Sequence, residues 1–258
     1  MSGRISAIAF NTFREAIRDR VLYNLILFAL LLVGSAVLFG QISIGIERIV
    51  VINLSLTSIS IFGVLIAIFI GTGLVSKEIE KKTLYTVLAR PVRRWEFIVG
   101  KFSGLVQTLI VNALLMTLGF YVALLYVSHR LTTADLNPLV AVYFIMLQFV
   151  IITSLALLFS SFSTPVLSAI FSFLMFVIGT FAEDLRNFAG ISRGFTHWAA
   201  TLAAYVVPNF ASLNVISLAA HDQSVSNALI WQNTVYALLY AGTALFASIL
   251  VFERRNFK

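Results

Sequence analysis

Six apolar stretches of this chain run for 18 residues or more without an Asp, Glu, Lys or Arg: 21–40, 49–75, 102–127, 138–159, 165–182 and 234–252. A backbone placed in hydrocarbon has no water to bond to, so such a stretch must satisfy its own N–H and C=O groups as a helix. About 20 residues at a rise of 1.5 Å cross the apolar core of a bilayer. The expected class is therefore all-α, a polytopic membrane protein folded as one domain over 1–258. Composition agrees. Of 258 residues, 60% are hydrophobic and 11% charged, where a soluble domain carries roughly a quarter charged. Mean hydropathy is +0.97. Cysteine is absent, which excludes disulfides and thiolate-held zinc or iron–sulfur centres.

A seventh apolar piece, 197–220, is interrupted by Pro208. Proline removes a donor and restricts the residue before it, so a helix is expected to break there. Each half is then too short to cross a bilayer. Charge decides the count. With six spans, one side receives Arg4, Arg14, Arg18 and Arg20, the basic residues of 76–101, and Arg254, Arg255 and Lys258. That makes fourteen basic residues against four (Arg48, Arg130, Arg186 and Arg193) on the other side. The positive-inside rule puts both termini in the cytoplasm of a plasma (inner) membrane protein. A seventh span would place the basic tail outside. The segment 183–233 is thus expected to be extracytoplasmic, with short helices around Pro208 lying at or dipping into the outer leaflet. The +7 net charge sits at membrane boundaries and argues against a nucleic-acid partner.

Residues 1–20 are not expected to be a cleaved leader, since Glu15 and Asp19 interrupt them and they show no early apolar core. Ile5, Ile8, Ala9, Phe13, Ala16 and Ile17 share one helical face; Arg4, Asn11, Arg14, Glu15 and Arg18 share the other. This predicts an amphipathic helix on the inner membrane surface. The charged stretch 76–101 predicts a second short amphipathic helix. Ile79, Leu84, Val87 and Leu88 form its ridge, Glu78 precedes Lys82 by four residues, and Arg90-Pro91 ends it. Gly100 and Gly104 then let the third span pack closely on a neighbour.

Glu78 and Glu80, Thr83-Leu84, Leu88, Pro91 with basic residues after it, Glu96 and Gly100-Lys101 together resemble the cytoplasmic loop of ABC-transporter permeases of the type-2 exporter class, the type V fold. Lys82 stands where Gly is common in that pattern, and Tyr85 where an acidic residue is frequent. The amphipathic N-terminus, six spans and short outer helices resemble the class too, so the likeness covers nearly the whole chain. It implies that the segment between spans 2 and 3 is a coupling helix seated in a separate nucleotide-binding subunit. Glu78, Glu80, Thr83, Leu84, Leu88 and Pro91 are then the ATPase-coupling residues. It implies two ATPase copies, which hold ATP and Mg, and a second permease copy, identical or a close relative. The chain itself lacks the Gly-x-x-x-x-Gly-Lys-Ser/Thr phosphate loop and is expected to bind no cofactor.

Span 2 carries Asn53, Thr57 and Ser60 on one helical face. Buried amides and hydroxyls need partners in lipid, so the stripe either lines a substrate pathway or bonds to neighbouring helices. Glu183 and Asp184, near Arg186 and Arg193, read as a gate, a partner contact or a solvated helix end. Single Met residues in spans 3, 4 and 5 and three His residues give no metal constellation. No catalytic residue is expected: no His, Asp or Glu lies within a span and no H-E-x-x-H occurs. The sequence reading is a permease exporting a hydrophobic or lipid-like substrate by alternating access. Two alternatives stay open. One is a force-transmitting subunit acting on an extracytoplasmic protein, as in metalloenzyme maturation, without solute passage. The other is an ion-coupled secondary transporter, which usually needs intramembrane carboxylates.

Overall fold

The computed structural model describes residues 2–43, 45–80, 93–130 and 132–254. Among these the chain is helical, with no strand: α1 (Ser2–Ile17), α2 (Arg20–Ile42), α3 (Glu47–Glu80), α4 (Arg94–Ser128), α5 (Asn137–Ser160), α6 (Pro165–Thr180), α7 (Ala182–Ile191), α8 (Phe195–Val206), α9 (Ile216–Ala220) and α10 (Asn227–Arg254). The starts follow local chemistry. Asp19 accepts the Val21 N–H at 2.9 Å and caps α2. Glu96 accepts the Arg93 N–H at 2.9 Å ahead of α4. Proline opens α5 and α6, where a missing N–H costs nothing.

Among the described residues, five helices are long and apolar enough to cross a membrane, or up to seven if each bent pair counts as one span. The expected fifth span differs. Helix α6 has 16 residues and stops at Thr180, after which α7 leaves at 64°. The expected break at Pro208 is present, with α8 and the stretch through α9 inclined by 40°. Helix α10 starts at Asn227, so the final residues of 183–233 belong to it. At the other loop, α3 runs 34 residues, continuing through 76–80, and α4 begins at Arg94. Both ends of 76–101 are thus extensions of the long helices. The remainder of the expected coupling helix, including Thr83, Leu84, Leu88 and Pro91, lies outside the described residues.

Helix α5, apolar on every side, is the centre: 72% of its best apolar window is buried, against 22% for α2 and 28% for α10. It packs on α3, α4, α6 and α10. The ends of the bundle are distinguishable by contact. Phe252, near the end of α10, stacks on Phe97 of α4 at 5.9 Å. Arg94 donates to the carbonyls of Phe252 and Glu253 at 2.9 and 3.0 Å. Helix α1 packs on the same part of α4, so the N-terminal helix and the end of α10 share one end of the bundle, called here the terminal end.

The neighbour that the third span packs against is α1. A Cβ at Gly104 would lie 2.4 Å from the Ala9 carbonyl oxygen and 2.7 Å from Thr12 Cβ, and one at Gly100 would lie 2.7 Å from Ile8 Cβ. The face expected to turn inward does so: Ala9 and Ala16 are buried, while Arg4, Asn11, Arg14, Glu15 and Arg18 are exposed. Between the two glycines, Lys101 is 2% exposed and pairs with Glu15 at 3.7 Å. Its Nζ sits 5.7 Å from the Phe97 ring centroid.

Gly104→Leu is expected to lower stability by roughly 1–3 kcal/mol through overpacking against backbone. In the naturally cysteine-free chain, Ala9→Cys alone should resist maleimide and become reactive when combined with Gly104→Leu. Gly34→Ala, where a Cβ meets nothing within 4 Å, should leave both readouts unchanged. Continued protection of Cys at position 9 in the Gly104→Leu background would refute the packing account.

Candidate functional site

Helix α3 meets α6 along a seam that holds two hollows. Nearer the terminal end, Leu65, Phe69, Thr72, Val166, Ala169 and Phe173 help line an apolar groove of about 480 Å³. Thr72 returns its hydroxyl to the Ile68 carbonyl at 2.8 Å, so it presents little polarity there. Further from the terminal end, Thr57, Ser60, Gln148, Phe176, Thr180 and Asn214 help line a cavity of about 270 Å³ with a mixed wall. Ser60 Oγ donates to Gln148 Oε1 at 3.0 Å, joining α3 to α5.

The stripe read from span 2 is therefore divided. Thr57 and Ser60 line the cavity, and Ser60 also makes an interhelical bond to Gln148. Asn53 bonds its own helix through the Ile49 carbonyl at 3.1 Å and is not among the cavity walls. Gln148 was missed from sequence. Its signal was available: a lone amide in the charge-free span 138–159 needs a partner or a ligand.

The cavity's far wall comes from the segment around Pro208. Phe210 N–H donates to the Gly179 carbonyl at 3.0 Å, and a Cβ at Gly179 would sit 2.5 Å from both the Pro208 carbonyl oxygen and the Phe210 ring. Only glycine admits this approach at the end of α6. The piece is pinned from α10 as well. Tyr236 Oη accepts the Asn209 N–H at 2.7 Å, and Ser212 Oγ donates to Asn233 Oδ1 at 2.9 Å.

The end opposite the terminal end is held by an ion-pair clasp that sequence reading also missed. Arg48, in the first turn of α3, reaches Asp135 Oδ1 at 2.8 Å and Asp222 Oδ2 at 2.6 Å. Asp135 lies in a short turn before α5 and accepts from Thr132 N–H and Oγ1. Asp222 lies between α9 and α10 at φ 56°. Burial alone would raise the Asp135 carboxyl, but the bonds from Thr132 and Arg48 outweigh it and hold the group below its ordinary value. Nothing in local spacing links positions 48, 135 and 222.

Glu78 and Glu80 lie in the last turn of α3, at the terminal end. Glu183 and Asp184 form the exposed first turn of α7, where acidic side chains suit the helix dipole. Among the described residues, no three His, Cys, Asp or Glu gather as a metal site.

Residues 6–257 match the family described as ABC-2 family transporter protein. The chain belongs to that family. No curated protein matches it. This ABC-2 permease is accordingly a multi-pass membrane subunit of an ABC transporter. The family implies an ABC ATPase as partner and, typically, a dimeric permease.

The clasp yields a graded expectation. Asp135 is 4% exposed and Asp222 44%. Asp135→Ala should therefore cost about 3 kcal/mol, as for a broken buried pair, and Asp222→Ala less than about 1 kcal/mol, as for an exposed one. Because the folded carboxyl of Asp135 titrates below its ordinary value of 3.8, its contribution is full above that pH and is lost as pH falls through the lowered value. Thermal melts of the permease from pH 6 to pH 3 should show an acid limb that Asp135→Asn flattens. Equal costs for the two Ala variants would refute the clasp.

Proposed function

We propose that this permease couples ATP hydrolysis by a separate ATPase subunit to export of a hydrophobic or lipid-like substrate by alternating access. The observation that carries the reading is the continuity of α3. One helix with no proline runs from Ser60 at the cavity, past the groove, to Glu78 and Glu80. At 1.5 Å per residue, its last turn lies about 30 Å from Ser60. A displacement at the ATPase-facing end is delivered to the seam by a rigid element.

In this reading α2, α3, α4, α5, α6 and α10 are six crossings. The shared end for α1 and the finish of α10 supports it, because the chain must then cross an even number of times. The excess of basic residues at that end supports a cytoplasmic position for both termini in the inner membrane. Glu78, Glu80, Thr83, Leu84, Leu88 and Pro91 engage the ATPase. Thr57 and Ser60 line the path, with Asn53 as a packing residue on the same helix. Two permease copies work with two ATPase copies, which bind ATP and Mg and carry out hydrolysis; the permease itself is non-catalytic.

Replacing Glu78 and Leu84 together with Ala should reduce permease-stimulated ATP hydrolysis to the basal rate of the ATPase while leaving membrane insertion intact. Full stimulation by the double variant would remove the coupling role. Reconstituted permease and ATPase should move substrate in an ATP-dependent way with no extracytoplasmic protein present. Movement driven by an ion gradient without nucleotide would instead support a secondary carrier.

A further inference from the structure

Helix α1 spends its apolar face inside the protein. Ala9, Thr12 and Ala16 are buried, and a Cβ at Gly100 or Gly104 would strike Ile8, Ala9 or Thr12. An amphipathic helix that floats on a membrane buries that face among acyl chains. Here α4 takes it, and the opposite face meets the surroundings. The height of that face is fixed by the spans. Gly100 and Gly104 bracket residue 102, where the charge-free span 102–127 begins, and Arg20 directly precedes the charge-free span 21–40. Helix α1 therefore crosses α4 at the bilayer boundary, the level of lipid head groups.

The outward face is a ridge. Phe10, Arg14 and Arg18 follow one another at four-residue spacing, with Arg18 in the turn that closes α1 and Arg20 opening α2. All three arginines are exposed. Phe10 is 60% exposed, and the Arg14 guanidinium lies 5.8 Å from its ring centroid. The nearby carboxylates are engaged elsewhere. Glu15 pairs with Lys101 at 3.7 Å, Asp19 accepts the Val21 N–H, and Glu96, 1% exposed, accepts the Arg93 N–H. Among the described residues, Arg14, Arg18 and Arg20 make no ion pair.

We propose that this ridge is a binding site for an anionic phospholipid. Arg14 and Arg18 hold its phosphate, Arg20 adds charge, and Phe10 lies against the upper part of an acyl chain. The guanidinium fork suits phosphate oxygens. A zwitterionic phospholipid carries the same phosphate but brings an ammonium group, which the neighbouring guanidiniums repel. An acidic protein surface is a poorer occupant, because an exposed aromatic among arginines at the boundary is already surrounded by lipid. The site belongs to the permease alone and depends neither on the solute moved nor on the coupling reading. In the topology proposed above it faces the inner leaflet.

The full-length permease in nanodiscs of zwitterionic phospholipid would receive trace photoreactive phosphatidylglycerol or, in parallel, the matching phosphatidylcholine, each with a diazirine close to the glycerol. Peptide mapping should place the phosphatidylglycerol adduct on 4–20, in preference to phosphatidylcholine. Arg14→Gln with Arg18→Gln should lower that capture about 25-fold, since each arginine at a membrane surface contributes about a factor of five. Ala9→Cys in the same background should stay resistant to maleimide, as it does while α1 is seated on α4. Arg18→Gln alone, outside the helix proper, should lower capture about fivefold and keeps the test decisive if the double variant loosens α1. Excess inorganic phosphate, or assembly with the ATPase subunit, should leave the labelling of 4–20 in place.

Equal capture of the two probes overturns the site, and so does phosphatidylglycerol labelling without enrichment on 4–20. Unchanged capture in the Gln variants overturns the residue assignment. Displacement by inorganic phosphate would mark a site for the free anion and overturn the lipid. Loss of labelling on binding the ATPase would make α1 a protein contact instead, which overturns the proposal as well.

Discussion

Between helices in lipid, apolar burial gives little net attraction, because the hydrocarbon outside is as apolar as the side chains inside. Assembly depends on close approach of backbones and on polar bonds that lipid cannot supply. This permease uses both, at different heights. At the terminal end, Gly100 and Gly104 bring α1 into backbone contact with α4. Along α5, hydroxyls and an amide join helices. Ser60 bonds Gln148, Ser160 Oγ donates to the Thr72 carbonyl at 3.2 Å, and Ser248 Oγ to the Leu157 carbonyl at 3.4 Å. These bonds tie α3 and α10 to the central helix. At the opposite end, Arg48 joins three connections that share no local sequence.

The distribution has a mechanical consequence. Helices α3 and α4, at 34 and 35 residues, exceed the roughly 20 needed to cross. Their surplus projects at the terminal end, where α1 and the finish of α10 brace α4. Buried Lys101 and the stacked Phe97–Phe252 pair stiffen that brace. The last turn of α3 belongs to the same rod as the seam, so what happens beside Glu78 is coupled to Thr57 and Ser60 through helix geometry alone.

How much of this was legible in the sequence depends on the range of the signal. The spans, the inward face of α1 and the break at Pro208 are local: each is written in periodicity, charge or a missing donor. The bounds of 76–101 follow charge, and charge marks where a helix leaves the bilayer, not where it ends. Hydropathy ceases near Val75, yet the backbone stays helical to Glu80. Span 5 fell short for a tertiary reason. Gly179 admits the Pro208–Phe210 segment, and α6 ends against it. The clasp was invisible because its three members stand far apart in the chain, and each looked like an ordinary loop charge. Gly100 was read both within a loop pattern and, with Gly104, as a packing site for a neighbour; that neighbour is α1.

The charges of this molecule are sorted, and the sorting bears on what can travel along the seam. Arg48 is paired with Asp135 and Asp222 at one end, and Lys101 with Glu15 at the other. Among the described residues, the two hollows of the α3–α6 seam are lined by methyls, rings, hydroxyls and amides. A cation or anion moving there would leave water for a wall with no opposite charge, and the penalty grows with depth.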